Sequence, residues 1–88
     1  MALALLSSGA CASRGREVFV REGCVNCHQF KGLGGGPGPA LSDVATRRDG
    51  ASIRAQITNP AANPASRMPA FNRISWFDLH SVVAFLRS

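Results

Sequence analysis

Three residues able to do chemistry lie side by side in the run Cys24-Val25-Asn26-Cys27-His28. Two thiols separated by two residues are presented by a single tight turn. They can add across the two vinyl groups on one edge of a porphyrin. The residue directly after the second thiol then swings beneath the ring and offers an imidazole to the iron. Cys-x-x-Cys-His is the attachment sequence of a c-type haem. A ligating imidazole also needs an acceptor for its other nitrogen, which fixes the ring and raises its basicity.

Other chemistries use parts of the same pattern. A dithiol redox pair is also Cys-x-x-Cys, but it expects a βαβ setting, and no such pattern surrounds these residues. A zinc site needs four ligands. Cys24, Cys27 and His28 with His80 or Cys11 would supply them only through one lone distant residue and an awkward adjacent Cys–His pair. A plain disulfide between Cys24 and Cys27 is the third alternative.

Haem iron in an electron carrier usually takes a second axial ligand, and a Met/His pair raises the reduction potential. Met68 is the only methionine besides Met1 and lies forty residues after His28. Pro69 follows it and biases its backbone towards extended conformations, as expected of a loop. The alternatives are Met68 as soft core packing, a bis-histidine site through His80, and an open sixth position suited to gas binding.

These residues need a scaffold that 88 residues can build. A chain this short holds one domain with a small core, and such domains often rely on a disulfide, a metal or a cofactor. Residues 15–22 read as a short helix with Val18 and Phe19 on its apolar face, closed by Gly23. Lys31 to Pro39 (KGLGGGPGP) is loop. It lacks the Gly-Lys-Ser/Thr of a phosphate cradle, and its glycines suggest backbone packed close to something flat. Asp49 can cap a helix to about Thr58, with Ile53 and Ile57 on one face, ended by Asn59-Pro60. Pro60 to Pro69 is a second loop. Ser75 and Asp78 form a Ser-x-x-Asp capping signature. Behind it, Leu79, Val82, Val83 and Leu86 form an apolar stripe with Phe85 beside it. No strand of convincing length is legible.

Taken together, residues 13–88 resemble the class I monohaem cytochrome c family of the short bacterial type. Gly15 and Phe19 are similar to the glycine and aromatic of that family's first helix, and Val82 and Phe85 to the pair on its last helix. The resemblance implies an all-α fold of three to five short helices and loops wrapped around one haem, with the first and last helices crossing at the glycine. Gly38-Pro39-Ala40-Leu41 resembles the family's Gly-Pro-x-Leu, which implies that the Pro39 carbonyl accepts the proton on the free nitrogen of His28. Arg67-Met68-Pro69 resembles its ligand loop. The chain has no tyrosine and no clear counterpart of the family's propionate-side tryptophan. Arg54, Gln56 and Arg67 are candidates for that role, while Trp76 reads as packing.

The expected cofactor is therefore one covalent haem c, held by Cys24, Cys27, His28, Met68 and Pro39, with His28 and Met68 on the iron. The expected function is electron carriage without bond chemistry. The alternatives are a haem-bearing subunit of a larger oxidoreductase and a gas or redox sensor.

The net charge is +5, and nine of the ten basic residues are arginine. They are scattered, without the basic tract and interleaved aromatics of a strand-binding surface, so nucleic acid is not expected. Redox partners with an acidic docking surface are. Residues 1–11 (MALALLSSGAC) resemble the end of a bacterial lipoprotein leader, with Cys11 as the residue to be lipidated. The stretch lacks a positive start, its apolar run is shorter than the roughly 7–15 residues of a leader, and Ser8 stands where that pattern has Leu. The organisation expected is a leader-like segment 1–11 and a domain 12–88. The location expected is periplasmic, or otherwise outside the bacterial cytoplasmic membrane, with membrane association through Cys11.

Overall fold

A computed structural model describes residues 13–63 and 65–88. The leader-like segment and Cys11 lie outside the described residues. Helix α1 covers residues 13–21. A 3-10 turn over Cys24–Asn26 follows, then a two-stranded antiparallel hairpin of β1 (Gln29–Phe30) and β2 (Leu33–Gly34). Helix α2 spans Val44–Arg47 and α3 Gly50–Thr58. A 3-10 turn at Pro60–Ala62 opens the long loop that leads to α4, Trp76–Leu86.

The helices start where the sequence supplies caps. Asp49 Oδ1 accepts from the Ser52 N–H at 2.8 Å at the head of α3. Ser75 Oγ accepts from the Asp78 N–H at 3.1 Å at the head of α4. Each such cap is worth about 1 kcal/mol. Asn59 and Pro60 end α3, and Gly23, at φ +81°, supplies the left-handed residue after α1.

The helices bury the faces that their spacing dictates. Val18 and Phe19 of α1, Ile53 and Ile57 of α3, and Leu79, Val82, Val83 and Leu86 of α4 join Phe30 and Val44 in one core. Each such residue contributes roughly 1.5–3 kcal/mol when fully buried. Phe85 packs on Phe30 and Phe19, with ring centroids 4.8 and 5.6 Å apart.

The crossing of α1 and α4 depends on Gly15. A Cβ there would lie 2.5 Å from the Phe85 Cβ and 2.7 Å from the Ser81 carbonyl carbon, with the Ser81 oxygen nearer still. Backbone cannot yield as a side-chain tip can, so Gly15→Ala should cost about 1–3 kcal/mol and Gly15→Val more. Denaturant melting of the pair reads this directly, and a Gly15→Val protein as stable as the parent would show that the helices cross elsewhere.

Asp78 is not the reciprocal half of a capping box. Its two oxygens accept from Arg14 Nε at 3.1 Å and Arg21 Nη2 at 2.7 Å, tying α4 to α1 across the same crossing. The hydrogen bond from Arg21 is the main cause holding the Asp78 carboxyl below its ordinary value of 3.8, with Arg14 adding to it and burial opposing. A depressed acid stabilises the fold above its unfolded pKa and loses that contribution as pH falls through its folded one. The melting difference between the parent and Asp78→Asn should be full near pH 7 and should close below about pH 4. A difference that persists at lower pH would mean that the carboxylate's charge is not what matters.

Candidate haem site

The turn carrying the two thiols is closed by its own backbone. The N–H groups of Cys27 and His28 both donate to the Cys24 carbonyl, at 3.2 and 2.9 Å. This brings Cys24, Cys27 and His28 together on one short turn. Cys27 is exposed and Cys24 half-buried, and burial pushes the Cys24 thiol above its ordinary pKa.

The glycine-rich loop lies on the backbone of this turn. The Gly35 N–H donates to the Val25 carbonyl at 3.1 Å and the Gly38 N–H to the Cys27 carbonyl at 2.7 Å. A Cβ on Gly36 would lie 2.9 Å from the Cys27 Cα, and one on Gly38 would lie 2.6 Å from the Cys27 carbonyl oxygen and 2.8 Å from the His28 ring. Gly36 also sits at φ +141°, which side chains rarely tolerate. The glycines therefore let one backbone clamp another and present the motif rigidly.

The clamp leads directly to Pro39, whose carbonyl accepts the Nδ1–H of His28 at 2.8 Å. A carbonyl can only accept, so in the neutral imidazole the proton sits on Nδ1 and Nε2 keeps its lone pair. The imidazole is thereby oriented by the same loop that clamps the thiol turn. Gly38→Ala should push the His28 ring aside and lower the haem-to-protein absorbance ratio of purified protein by roughly threefold or more, given the rigidity of both surfaces. An unchanged ratio would show that the clamp is dispensable.

Met68 sits on the far loop, half-buried against the core. Its N–H donates to Ser66 Oγ at 3.2 Å, and Gln56 of α3 donates to that hydroxyl at 3.1 Å. The Gln56 amide nitrogen is also 3.9 Å from the Met68 sulfur. Gln56 thus serves the Met68 loop, while the other two residues considered for a propionate, Arg54 and Arg67, are exposed. His80 is exposed too. It stacks on Trp76, with centroids 5.4 Å apart and planes 10° apart, and Trp76 is 70% exposed rather than core. Among the described residues, no group of three or more His, Cys, Asp or Glu is gathered as a zinc site would require.

These residues fit a haem. Two thiols on one turn suit two vinyl groups, an imidazole with a free Nε2 and a thioether suit iron, and Val25, Leu33, Leu41, Phe71 and Ile74 line the core margin as half-buried apolar side chains. Apolar surface of that kind is what a porphyrin face covers.

Comparison with known proteins agrees. The Cytochrome c family matches residues 12–88. Cytochrome c oxidase subunit 2 of Alkalihalophilus pseudofirmus is 30% identical over 86 residues, covering 88% of this chain and 25% of that protein. The chain thus spans about a quarter of the length of this relative. No solved structure matches. The haem-attachment motif, the crossing of first and last helices at Gly15 and the family match over residues 12–88 lead to one conclusion: the chain belongs to the Cytochrome c family, whose work is haem-based electron transfer.

Proposed function

We propose that the protein carries one haem c, joined by thioether bonds to Cys24 and Cys27, with His28 and Met68 as the axial ligands, and that it transfers electrons without catalysing a reaction of its own. The observation that carries this reading is the His28 Nδ1–H···O Pro39 hydrogen bond, which leaves Nε2 available as a ligand beside two thiols. The haem supplies a one-electron ferrous–ferric couple. The chain's residues hold it, orient the imidazole, brace the thioether and shield one side with the apolar core margin. Keeping both ligands through the cycle keeps reorganisation small. Axial ligand identity and hydrogen bonding around it set the potential.

Arg16, Arg54, Arg67, Arg73 and Arg87 are exposed, and none of them makes an ion pair among the described residues. A positive surface of this kind suits brief encounters with acidic redox partners. The site of action is outside the cytoplasmic membrane, where c-type domains work, with Cys11 as a point of membrane attachment. No described helix is long and apolar enough to cross a membrane.

A second reading is a haem-bearing unit of a larger oxidoreductase, favoured by the likeness to a quarter of an oxidase subunit 2. A redox titration tests the function itself. Reversible one-electron behaviour, with a ferrous form that does not bind carbon monoxide at neutral pH, is the expected result. Ready carbon monoxide binding would point to a sensor instead. Isolation as a stable stoichiometric complex would select the second reading.

A further inference from the structure

We infer that Trp76 and Phe77 form a membrane-contacting face of the domain, resting in the lipid headgroup layer beside Cys11. The inference rests on the reading of Cys11 as the point of membrane attachment.

Two aromatic side chains stand in solvent at the head of α4. Trp76 is 70% exposed and Phe77 48%. Exposed His80 stacks on Trp76 with the planes 10° apart and extends the same surface by one helical turn. The core makes no use of these rings, because the buried apolar side chains of α4 are Leu79, Val82, Val83 and Leu86. Apolar side chains scattered singly over a surface are ordinary, whereas adjacent ones mark a contact.

The patch lies where the chain enters the domain. The Arg14 guanidinium sits 4.7 Å above the centre of the Phe77 ring. Arg14 is in the first turn of α1, and Cys11 is three residues before it. Three residues of fully extended chain span about 11 Å. A lipid on Cys11 therefore holds Arg14, and the ring beneath it, at the bilayer surface.

The chemistry suits that place. An indole joins a flat apolar body to an N–H, a combination that collects at membrane interfaces. Arg14, over Phe77, is a donor for lipid phosphate. Asp78 is the only acid of α4, and its two oxygens are taken by Arg14 and Arg21. A second copy of the chain fits less well. Patch against patch would oppose two Arg14 guanidinium groups, and a few rings fall short of the roughly 800 Å² per partner of a stable interface. A bilayer needs no matching shape, and the tether supplies the effective concentration.

The test uses the haem-loaded protein. With haem on Cys24 and Cys27, Cys11 is the remaining thiol of the three cysteines. It can be coupled to maleimide-bearing lipid in vesicles of phosphatidylethanolamine and phosphatidylglycerol. Hydroxyl-radical oxidation, read by mass spectrometry, should fall about threefold or more at Trp76, Phe77 and His80, as rings leave water, relative to protein coupled to a soluble maleimide. A Trp76→Glu, Phe77→Glu double variant, coupled to the same vesicles, should return His80 to its unshielded reactivity. Full reactivity of Trp76 in the vesicle-coupled parent would overturn the inference and leave the attachment reading standing. Shielding of His80 that survives in the double variant would mean that proximity alone protects it, and would overturn the inference as well. Equal protection without vesicles, at the same protein concentration, would assign the patch to a second copy instead. A mature chain with no lipid on Cys11 would remove the attachment reading and the inference together.

Discussion

A Cys24→Ala, Cys27→Ala double variant is expected to lose its haem altogether under denaturing conditions, where the parent keeps it. The reason is covalent. On the proposed reading, His28 and Met68 would give coordination bonds that unfolding releases, while two thioether bonds would survive it. The effect on the fold should also be large. Among the described residues the core holds ten buried apolar side chains, from Val18 to Leu86, a small core for a small domain. Half-buried Val25, Leu33, Leu41, Met68, Phe71 and Ile74 pack around it, and a bound porphyrin would cover more of their surface. Axial ligation and burial of the porphyrin would exist only in the folded state and so would stabilise it, and attachment would keep the haem at hand through unfolding and refolding. Denaturing gels stained for haem, with thermal melts alongside, check both parts. A variant that kept its haem through denaturation would show that the attachment lies elsewhere.

The second large effect is expected at Met68. Met68→Ala should abolish the sulfur-to-iron band and let the ferrous protein bind carbon monoxide at neutral pH. It should lower the potential on the order of 0.2 V, a fraction of the roughly 0.8 V over which axial ligands set haem potentials. The fold should change less, because Met68 is half-buried on a loop and the core beneath it belongs to the helices. Among the described residues there is little to replace it. His80 is on the exposed side of α4, stacked on Trp76. If Met68→Ala left the spectrum and the gas binding unchanged, the sixth ligand would have to be sought elsewhere.

Much of this was legible in the sequence wherever one residue type has one strong physical use. Cys24, Cys27 and His28 pointed by their spacing to a haem c, the cofactor that the Cytochrome c family match also implies. Asp49 and Ser75 marked helix starts because a side-chain oxygen there satisfies an orphan N–H, and both do so. The stripe Leu79, Val82, Val83 and Leu86 is buried as its spacing required.

What escaped the sequence is short or depends on long-range pairing. Helix α2 has four residues and one buried side chain, Val44, too few for any period to show. The hairpin has two-residue strands, and its turn places Lys31 at φ +49° next to Gly32 at +88°. A two-residue turn of this sort usually advertises itself by Asn or Asp before the glycine, and lysine gives no such signal. The glycine loop was legible as loop, but not as a clamp on the thiol turn, because the turn's backbone carries no side-chain signature. Asp78 looked like half of a capping box because nothing local shows that Arg14 and Arg21 approach from another helix. Gln56 looked like one polar candidate among several. Its contacts with Ser66 and Met68 appear only once their loop folds back onto α3.

The central claim is covalent attachment of one haem at Cys24 and Cys27, and intact mass spectrometry of the denatured, purified chain tests it most directly. The account predicts a mass raised by one haem, localised by digestion to the peptide containing residues 24–28, with neither Cys24 nor Cys27 open to thiol alkylation. A chain of unmodified mass, with both thiols alkylated or joined to each other, would contradict it.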